Sequence, residues 1–568
     1  MTLISRTPFS IIRKDLFFLA GIWLLSVIVV NPAGEFPLAD DWVYLDMLKL
    51  LHEKNILFYP NYLGSTVISQ LAWALLWCKL FGYSIFVARV TSLVNSLLLI
   101  LVLYFLLQKL TSNRNFSFFG TALFIFNPVF YVLSFTFMTE PSFCLVIAGC
   151  LAAAYASLKS YKWNWIFLLV FLCGVAVLIK QTALIIPISF LAIILFNRKI
   201  PGRLFSGALL SLAVTAIAYT VLLYWINYTY GSSGRFMNRM NHDVINYLKE
   251  GYHEGFSHQR ENFLNITMYC GLFMLPVLPI LAIGSARIFE NGSFYRHRTK
   301  ILATLILLAS VFSYLQTESL QLPNLDNIFY NTGLGPVVLR DTNILKMKPH
   351  SFIEATFFWR SLSVLSMATG LYLLVVLTFQ CILSIKKSFR KEAEASDIFY
   401  QLLYCAAIIY IFLLVNEYIF DRYILLLTLL IILMLGVSMK DLLGSLKMKW
   451  YALSLVILFP IVVFNVAATH DYLAWNRAKW DALNFLTERL KISPKEIDGG
   501  YEFNASRNYS DNYSIQENKS WWWVHDDKYL VTMNPIAGYQ KFFDVQYYSW
   551  IKCRTFSIHV LKKEDYLK

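Results

Sequence analysis

Read for its apolar and polar positions, the chain is a succession of long apolar runs broken by short polar or basic stretches. The runs fall at 15–31, 84–107, 117–135, 142–158, 164–179, 182–196, 205–225, 263–285, 301–315, 361–385, 398–416, 423–439 and 450–467. A helix needs roughly 20 mostly apolar residues to cross bilayer hydrocarbon, and only helices and closed barrels satisfy the backbone there. Strands of a barrel would alternate; these runs are continuous, so helices are expected. The pattern predicts an α-helical polytopic membrane protein with about thirteen transmembrane helices. The pair on either side of Lys180-Gln181 reads equally well as one broken segment.

The polar breaks carry the orientation. With a cytoplasmic N-terminus, the inside loops gather Lys109 and Arg114, Lys159 and Lys162, Arg198 to Arg203, Arg287 to Lys300, Lys386 to Lys391, and Lys440 to Lys449. The short outer loop 136–141 holds neither Lys nor Arg, as the positive-inside rule requires. The first run follows Arg6, Arg13 and Lys14 and no small-x-small cleavage site follows it, so it is expected to stay as a first span. An odd number of spans then places three long segments, 32–83, 226–262 and 316–360, on the outer face together with the tail 468–568. In that tail Leu473, Trp480, Leu483 and Leu486 recur at helical spacing. Ile497-Asp498-Gly499-Gly500, Trp521 to Val524 and Phe556 to Val560 read as turns and strands. The expected division is a transmembrane unit, 1–467, whose first outer loop 32–83 carries the chemistry, and a small extracytoplasmic α/β domain, 468–568.

Composition agrees with a membrane protein: 58% hydrophobic and 15% charged residues, with mean hydropathy +0.55. The net charge of +14 lies beside apolar runs as a topology signal, so nucleic acid is not expected as a partner. The eight cysteines show no metal-ligand spacing. No Asp, Glu, Lys or Arg falls in the middle of an expected span. Ion-coupled transporters keep such residues at mid-membrane. Here they gather at outer helix ends instead: Asp40, Asp41, Arg89, Glu140, Lys180, Arg360 and Arg422.

The first outer loop reads Leu38-Ala39-Asp40-Asp41-Trp42-Val43-Tyr44-Leu45-Asp46. An acidic pair at a helix start has an ordinary explanation, a cap followed by a solvated acid. The order of further short motifs points elsewhere. Asn61-Tyr62-Leu63-Gly64 leads to Phe81-Gly82-Tyr83-Ser84; Arg89 opens the second span; Asn127-Pro128 precedes Phe137-Met138-Thr139-Glu140-Pro141. Lys180 to Leu184 and Phe420-Asp421-Arg422-Tyr423 follow. This series resembles the C-type glycosyltransferases of family 39, which include the protein O-mannosyltransferases and the lipid A aminoarabinose transferase. Gly333-Leu334-Gly335-Pro336 and Ile497 to Glu502 resemble elements of a bacterial subgroup. The chain departs from the family pattern in having Asp40-Asp41 where Asp-Glu is common, and Glu140 where Asp is common.

The resemblance implies a C-type fold and transfer of a sugar from a polyprenyl-phosphate donor to a lipid, polysaccharide or protein acceptor. It implies an outer-face reaction that inverts the anomeric centre. The leaving lipid phosphate is already a stable anion, so one general base suffices where a glycosidase needs two carboxylates. Asp40 aligns with the first acid of the family pair and is expected to be that base, with Asp41 the alternative or an orienting partner. Glu140 is expected to approach from the second outer loop. Lys180, Arg422, Arg89 and Arg360 are the candidates for holding the departing phosphate. Tyr44, with Trp42, Trp73 and Trp77, is a candidate for stacking on a sugar, or for an interfacial aromatic belt. No cofactor or metal is expected. The competing functions are a flippase or transporter of lipid-linked sugars, a polysaccharide polymerase or ligase acting on such donors, and a non-catalytic protein that binds through its tail.

Overall fold

The computed structural model of the chain describes residues 9–197, 201–231, 237, 257–283, 321–325, 356–514, 516, 519 and 522–566. Within these limits every expected span coincides with helix, whole or broken. The span at 301–315 and the Gly333–Pro336 motif lie outside the described residues. The order begins α1 (Phe9–Val30), α2 (Asp41–Lys54), α3 (Ile68–Phe81), α4 (Ile85–Thr111), α5 (Arg114–Ile125), α6 (Pro128–Leu133), α7 (Glu140–Ser160) and α8 (Trp163–Val177). It continues α9 (Ile185–Phe196), α10 (Gly202–Tyr230), α11 (Ser257–Met274), α12 (Thr356–Phe389), α13 (Ala395–Val415), α14 (Ile424–Ser438) and α15 (Met448–Asn484). Among the described residues, eight helices are long and apolar enough to cross a membrane.

Side-chain chemistry explains how the bundle closes. The stretch Asp421–Ser438 is almost wholly apolar beyond Arg422, and 83% of it is buried, as expected for a helix with little polar surface to show. Helices α11 and α12 cross closely: a Cβ on Gly271 would lie 1.8 Å from the Ser366 carbonyl oxygen, and one on Gly370 2.0 Å from that of Thr267. The run 117–135 is not one helix. Pro128 cannot continue α5, and the Asn127 side chain accepts from the amides of Val129 and Phe130 to start α6. The freed Phe126 carbonyl accepts from Asn465 Nδ2 at 2.6 Å, so the break is satisfied inside the bundle.

The two ends of the bundle differ. At one end Asp15 accepts from Arg114 Nε and Nη2 at 2.7 and 2.6 Å and from the Tyr104 hydroxyl at 2.6 Å. The opposite end holds α2, the start of α3, and the tail. Helix α15 was expected to stop near 467. It runs on without interruption to Asn484 and carries the tail directly. Beyond it come β1 (Ile497–Asp498), α16 (Tyr501–Asn508), β2 (Tyr529–Thr532), β3 (Tyr539–Ser549) and β4 (Arg554–Lys563). They form one sheet in the order β1-β2-β4-β3, with β1 parallel to β2 and the other pairs antiparallel. Asp471 on α15 fastens the β3–β4 turn by accepting from Ser549 Oγ and the amides of Trp550 and Ile551 at 2.5, 2.7 and 3.1 Å.

Candidate active site

The break between α8 and α9 is the first device that builds the site. A helix interrupted within a membrane leaves carbonyls that need donors. Those of Val177, Leu178 and Ile179 accept from Thr66 Oγ1, the Ser69 amide and the Val67 amide at 2.7, 3.1 and 3.1 Å. Gln181 Nε2 donates to the Gly64 carbonyl at 2.7 Å. The segment 32–83 is thereby stitched to the break, and Lys180 is delivered beside it.

The second device is Asp41. It is 1% exposed, and both its oxygens are taken: Oδ1 accepts from the Leu38 amide at 2.6 Å and Oδ2 from the Phe137 amide at 2.9 Å. One carboxylate thus joins the segment 32–83 to the segment 136–141. Burial, the larger effect, pushes its carboxyl up to about 7, while these two donors and the nearby Arg89 charge pull the other way. Gln70 adds a second tie, donating to the Phe137 carbonyl at 2.8 Å.

Between these ties four charged side chains from four segments form a row. Lys180 Nζ lies 2.6 Å from Glu140 Oε1. Glu140 Oε1 lies 3.8 Å from Arg422 Nε. Arg422 Nη1 donates to Asp40 Oδ2 at 2.9 Å. Glu140 opens α7, where the positive end of the helix dipole favours an anion. Arg422 sits in the short 3-10 turn Asp421–Tyr423 that leads into α14. The cations are flanked by rings: Tyr423 lies 5.4 Å from Lys180 Nζ and Phe420 5.0 Å from the Arg422 guanidinium carbon. Glu140 is 2% exposed, whereas the Asp40 side chain keeps 23%. Although Asp40 occupies the cap position of α2, its side chain makes no capping hydrogen bond. Tyr44, 6% exposed, lies in the fields of Arg422, Asp40 and Glu140, and burial raises its phenol above the ordinary range.

The geometry therefore brings together Asp40, Glu140, Lys180, Arg422 and Tyr44. It engages Asp41, Arg89 and Trp42 elsewhere. Asp41 has no accessible oxygen with which to meet a substrate. Arg89, 1% exposed, donates to the carbonyls of Pro32, Gly34 and Phe36 at 2.6, 3.2 and 2.8 Å; it shapes the first loop and does not face the row. Arg360 is exposed near the start of α12. Trp42 is 2% exposed and packs against Tyr62, Tyr509 and Trp523 with centroids 5.8, 5.2 and 5.7 Å away, so no face is left for a sugar. One neighbour was not foreseen. Tyr501, on α16 of the tail, donates its hydroxyl to Asp40 Oδ1 at 2.9 Å. Among the described residues, no group of three or more His, Cys, Asp or Glu side chains is arranged to hold a metal.

Comparison with known proteins gives the following. No curated protein matches the chain. The solved structure of ArnT from Cupriavidus metallidurans bound to undecaprenyl phosphate is similar over 86% of this chain and 82% of its own, with 14% identity and a TM-score of 0.41. The archaeal oligosaccharyltransferase AglB from Archaeoglobus fulgidus, in complex with an inhibitory peptide and a dolichol-phosphate, is similar over 84% of this chain and 58% of its own, with 14% identity and a TM-score of 0.45. Residues 70–225, the segment that holds Arg89, Glu140 and Lys180, match the model of the dolichyl-phosphate-mannose-protein mannosyltransferase family. Over that segment the chain carries the sequence pattern of this family, the glycosyltransferase relationship that the order of its short motifs implies.

Proposed function

We propose that the protein transfers a sugar from a polyprenyl-phosphate donor to an acceptor at the outer membrane surface, with Asp40 as general base. The observation that carries this reading is the state of Asp40. It is the acid of the row that keeps solvent access while a cation holds it in a fixed orientation. The alternative base, Asp41, has both oxygens engaged by backbone amides.

In the proposed step an acceptor hydroxyl or amine gives its proton to Asp40 as its lone pair attacks the anomeric carbon. The bond from that carbon to the phosphate oxygen breaks on the opposite face. Its electron pair leaves with the polyprenyl phosphate, so no acid is needed for departure. Lys180 and Arg422 stand where this anion needs charge. Glu140 holds both in place, taking one of Lys180's three donors at 2.6 Å and lying 3.8 Å from Arg422 Nε, so that Lys180 keeps two donors for phosphate oxygens and Arg422 adds its charge. The donor lipid class is supported by the family that residues 70–225 match. The outer-face location is supported by the basic residues that gather in the loops of the opposite end.

The test uses purified protein with a panel of radiolabelled polyprenyl-phosphate sugars and membrane extracts as acceptor, scored for release of the lipid phosphate. Asp40→Asn should leave the protein folded while transfer falls by about 10²-fold or more. Transfer at the wild-type rate by that variant refutes the assignment.

A further inference from the structure

The tail meets the row at one hydroxyl, and the chain goes to some length to fix it. The segment Ile497 to Glu502, noted in the sequence and so far without a role, is a rigid turn. Asp498 Oδ1 accepts from the Gly500 amide at 3.1 Å and from Asn504 Nδ2 at 2.8 Å. The Gly499 amide donates to Asn504 Oδ1 at 3.1 Å. A Cβ on Gly499 would stand 2.6 Å from both Leu483 and Phe503, and Gly500 has φ +82, a conformation open chiefly to glycine. Glu502, next to Tyr501, pairs at 3.0 Å with Lys479 of α15, which is 1% exposed. Removing one partner of such a buried pair leaves an uncompensated charge, so the pair holds α16 against α15.

Tyr501 is what this turn presents. Its hydroxyl donates to Asp40 Oδ1 at 2.9 Å. Trp42 Nε1 donates to it at 3.4 Å, and the Tyr62 hydroxyl lies 2.7 Å away. Its ring lies 6.1 Å from that of Trp523. Burial, reinforced by the Asp40 charge, raises the phenol well above its ordinary range, so it stays protonated and acts as a donor. Arg422 holds one oxygen of Asp40 and Tyr501 the other. A carboxylate accepts at about four lone-pair sites, so both oxygens keep one to offer. The remaining exposure of Asp40 gives an acceptor access to it.

We propose that the C-terminal domain completes the active site, Tyr501 being a positioning residue that fixes the plane of the Asp40 carboxylate against Arg422. This rests on Asp40 being the base. The alternative, that the phenol is a plug displaced by the acceptor's own hydroxyl, is disfavoured by the anchors on both sides of it: the glycine turn, the buried ion pair and the aromatic contacts with the first outer loop.

Tyr501→Phe keeps the ring and removes only the donor. In the full-length protein, assayed with whichever donor of the panel above turns over fastest, kcat should fall about tenfold or more, the scale of a hydrogen bond to a charged group. The donor KM should stay unchanged. In an Asp40→Asn background the same change should cost nothing further, because its effect passes through Asp40. A wild-type kcat in Tyr501→Phe overturns the proposal, as does an equal loss in both backgrounds, which marks a structural role. A raised kcat with a lowered acceptor KM overturns it in favour of the plug. If Asp40→Asn itself turns over normally, the proposed function fails; if only Tyr501→Phe does, the failure is confined to the tail's part in it.

Discussion

Replacing Glu140 with Gln tests whether the four charges act as a unit. Glu140 Oε1 lies 2.6 Å from Lys180 Nζ and 3.8 Å from Arg422 Nε. At an effective dielectric of about 20, attractions over those distances are roughly 6 and 4 kcal/mol. Most of that sum offsets the removal of three charges from water, and deleting one member of a buried pair typically costs about 3–5 kcal/mol net. Glu140→Gln should therefore melt clearly below the wild type, by the equivalent of about 3–5 kcal/mol. The loss should be repairable. With the carboxylate neutralised, Lys180 loses the anion at 2.6 Å and Arg422 loses an anion at 3.8 Å, so a lipid phosphate can take the vacated role. Polyprenyl phosphate should then raise the melting temperature of the variant more than that of the wild type, since ligand that binds only the native state stabilises by mass action. The assay is thermal unfolding of detergent-solubilised protein, followed by tryptophan fluorescence with and without the lipid phosphate. A variant as stable as the wild type without ligand, or equal shifts of both by polyprenyl phosphate, refutes the reasoning.

Two further predictions separate structural from chemical roles. Lys180→Ala should raise the donor KM by about tenfold, whereas Arg89→Ala should cost about 3 kcal/mol of stability by stripping the donor from three loop carbonyls and leave the donor KM alone; steady-state kinetics beside melting curves check both, and a raised donor KM in Arg89→Ala would restore it to the phosphate site. For Asp41, raised from its unfolded value to about 7, the native protein holds a proton that the unfolded chain has released between about pH 4 and 7. Its contribution to stability should accordingly shrink as pH rises through that window, by on the order of 2 kcal/mol between pH 5 and 8. The stability advantage of wild type over Asp41→Asn, measured by denaturation at both pH values, should narrow; an advantage that widens means the two amide bonds outweigh burial.

The spans were readable because lipid imposes a minimum apolar length, and the tail's mixed character because its pattern changes beyond 470. What escaped has particular causes. Ala468 to Asp471 looks like an exit from the membrane, yet nothing there breaks a helix, and α15 passes straight through. The run at 117–135 reads as continuous by hydropathy although Pro128 divides it. In the site, Arg89 and Arg422 carry the same sequence signal, a cation at an outer helix end. Only the fold shows that the first meets carbonyls and the second a carboxylate. Asp40 and Asp41 are adjacent, so helical geometry sends them to different sides: one faces the row, the other the second loop's amides. Tyr501 is 461 positions from Asp40, beyond the reach of any local pattern. Its hint was the Gly499-Gly500 pair ahead of it, whose purpose depends on Leu483 and Lys479 in a different helix.

Because α15 is continuous from the bilayer into the tail, the direction in which the C-terminal domain points is a matter of angular phase. One residue added between Pro460 and Asp471 would turn everything beyond it by about 100° and shift it by roughly 1.5 Å, swinging Tyr501 away from Asp40. Whole turns would restore the heading but raise the domain by about 5.4 Å each. This helix behaves as a spline that keys two parts of the protein in a single angular setting, so a change in its length, even without a change of chemistry, would separate the tail from the bilayer-embedded machinery.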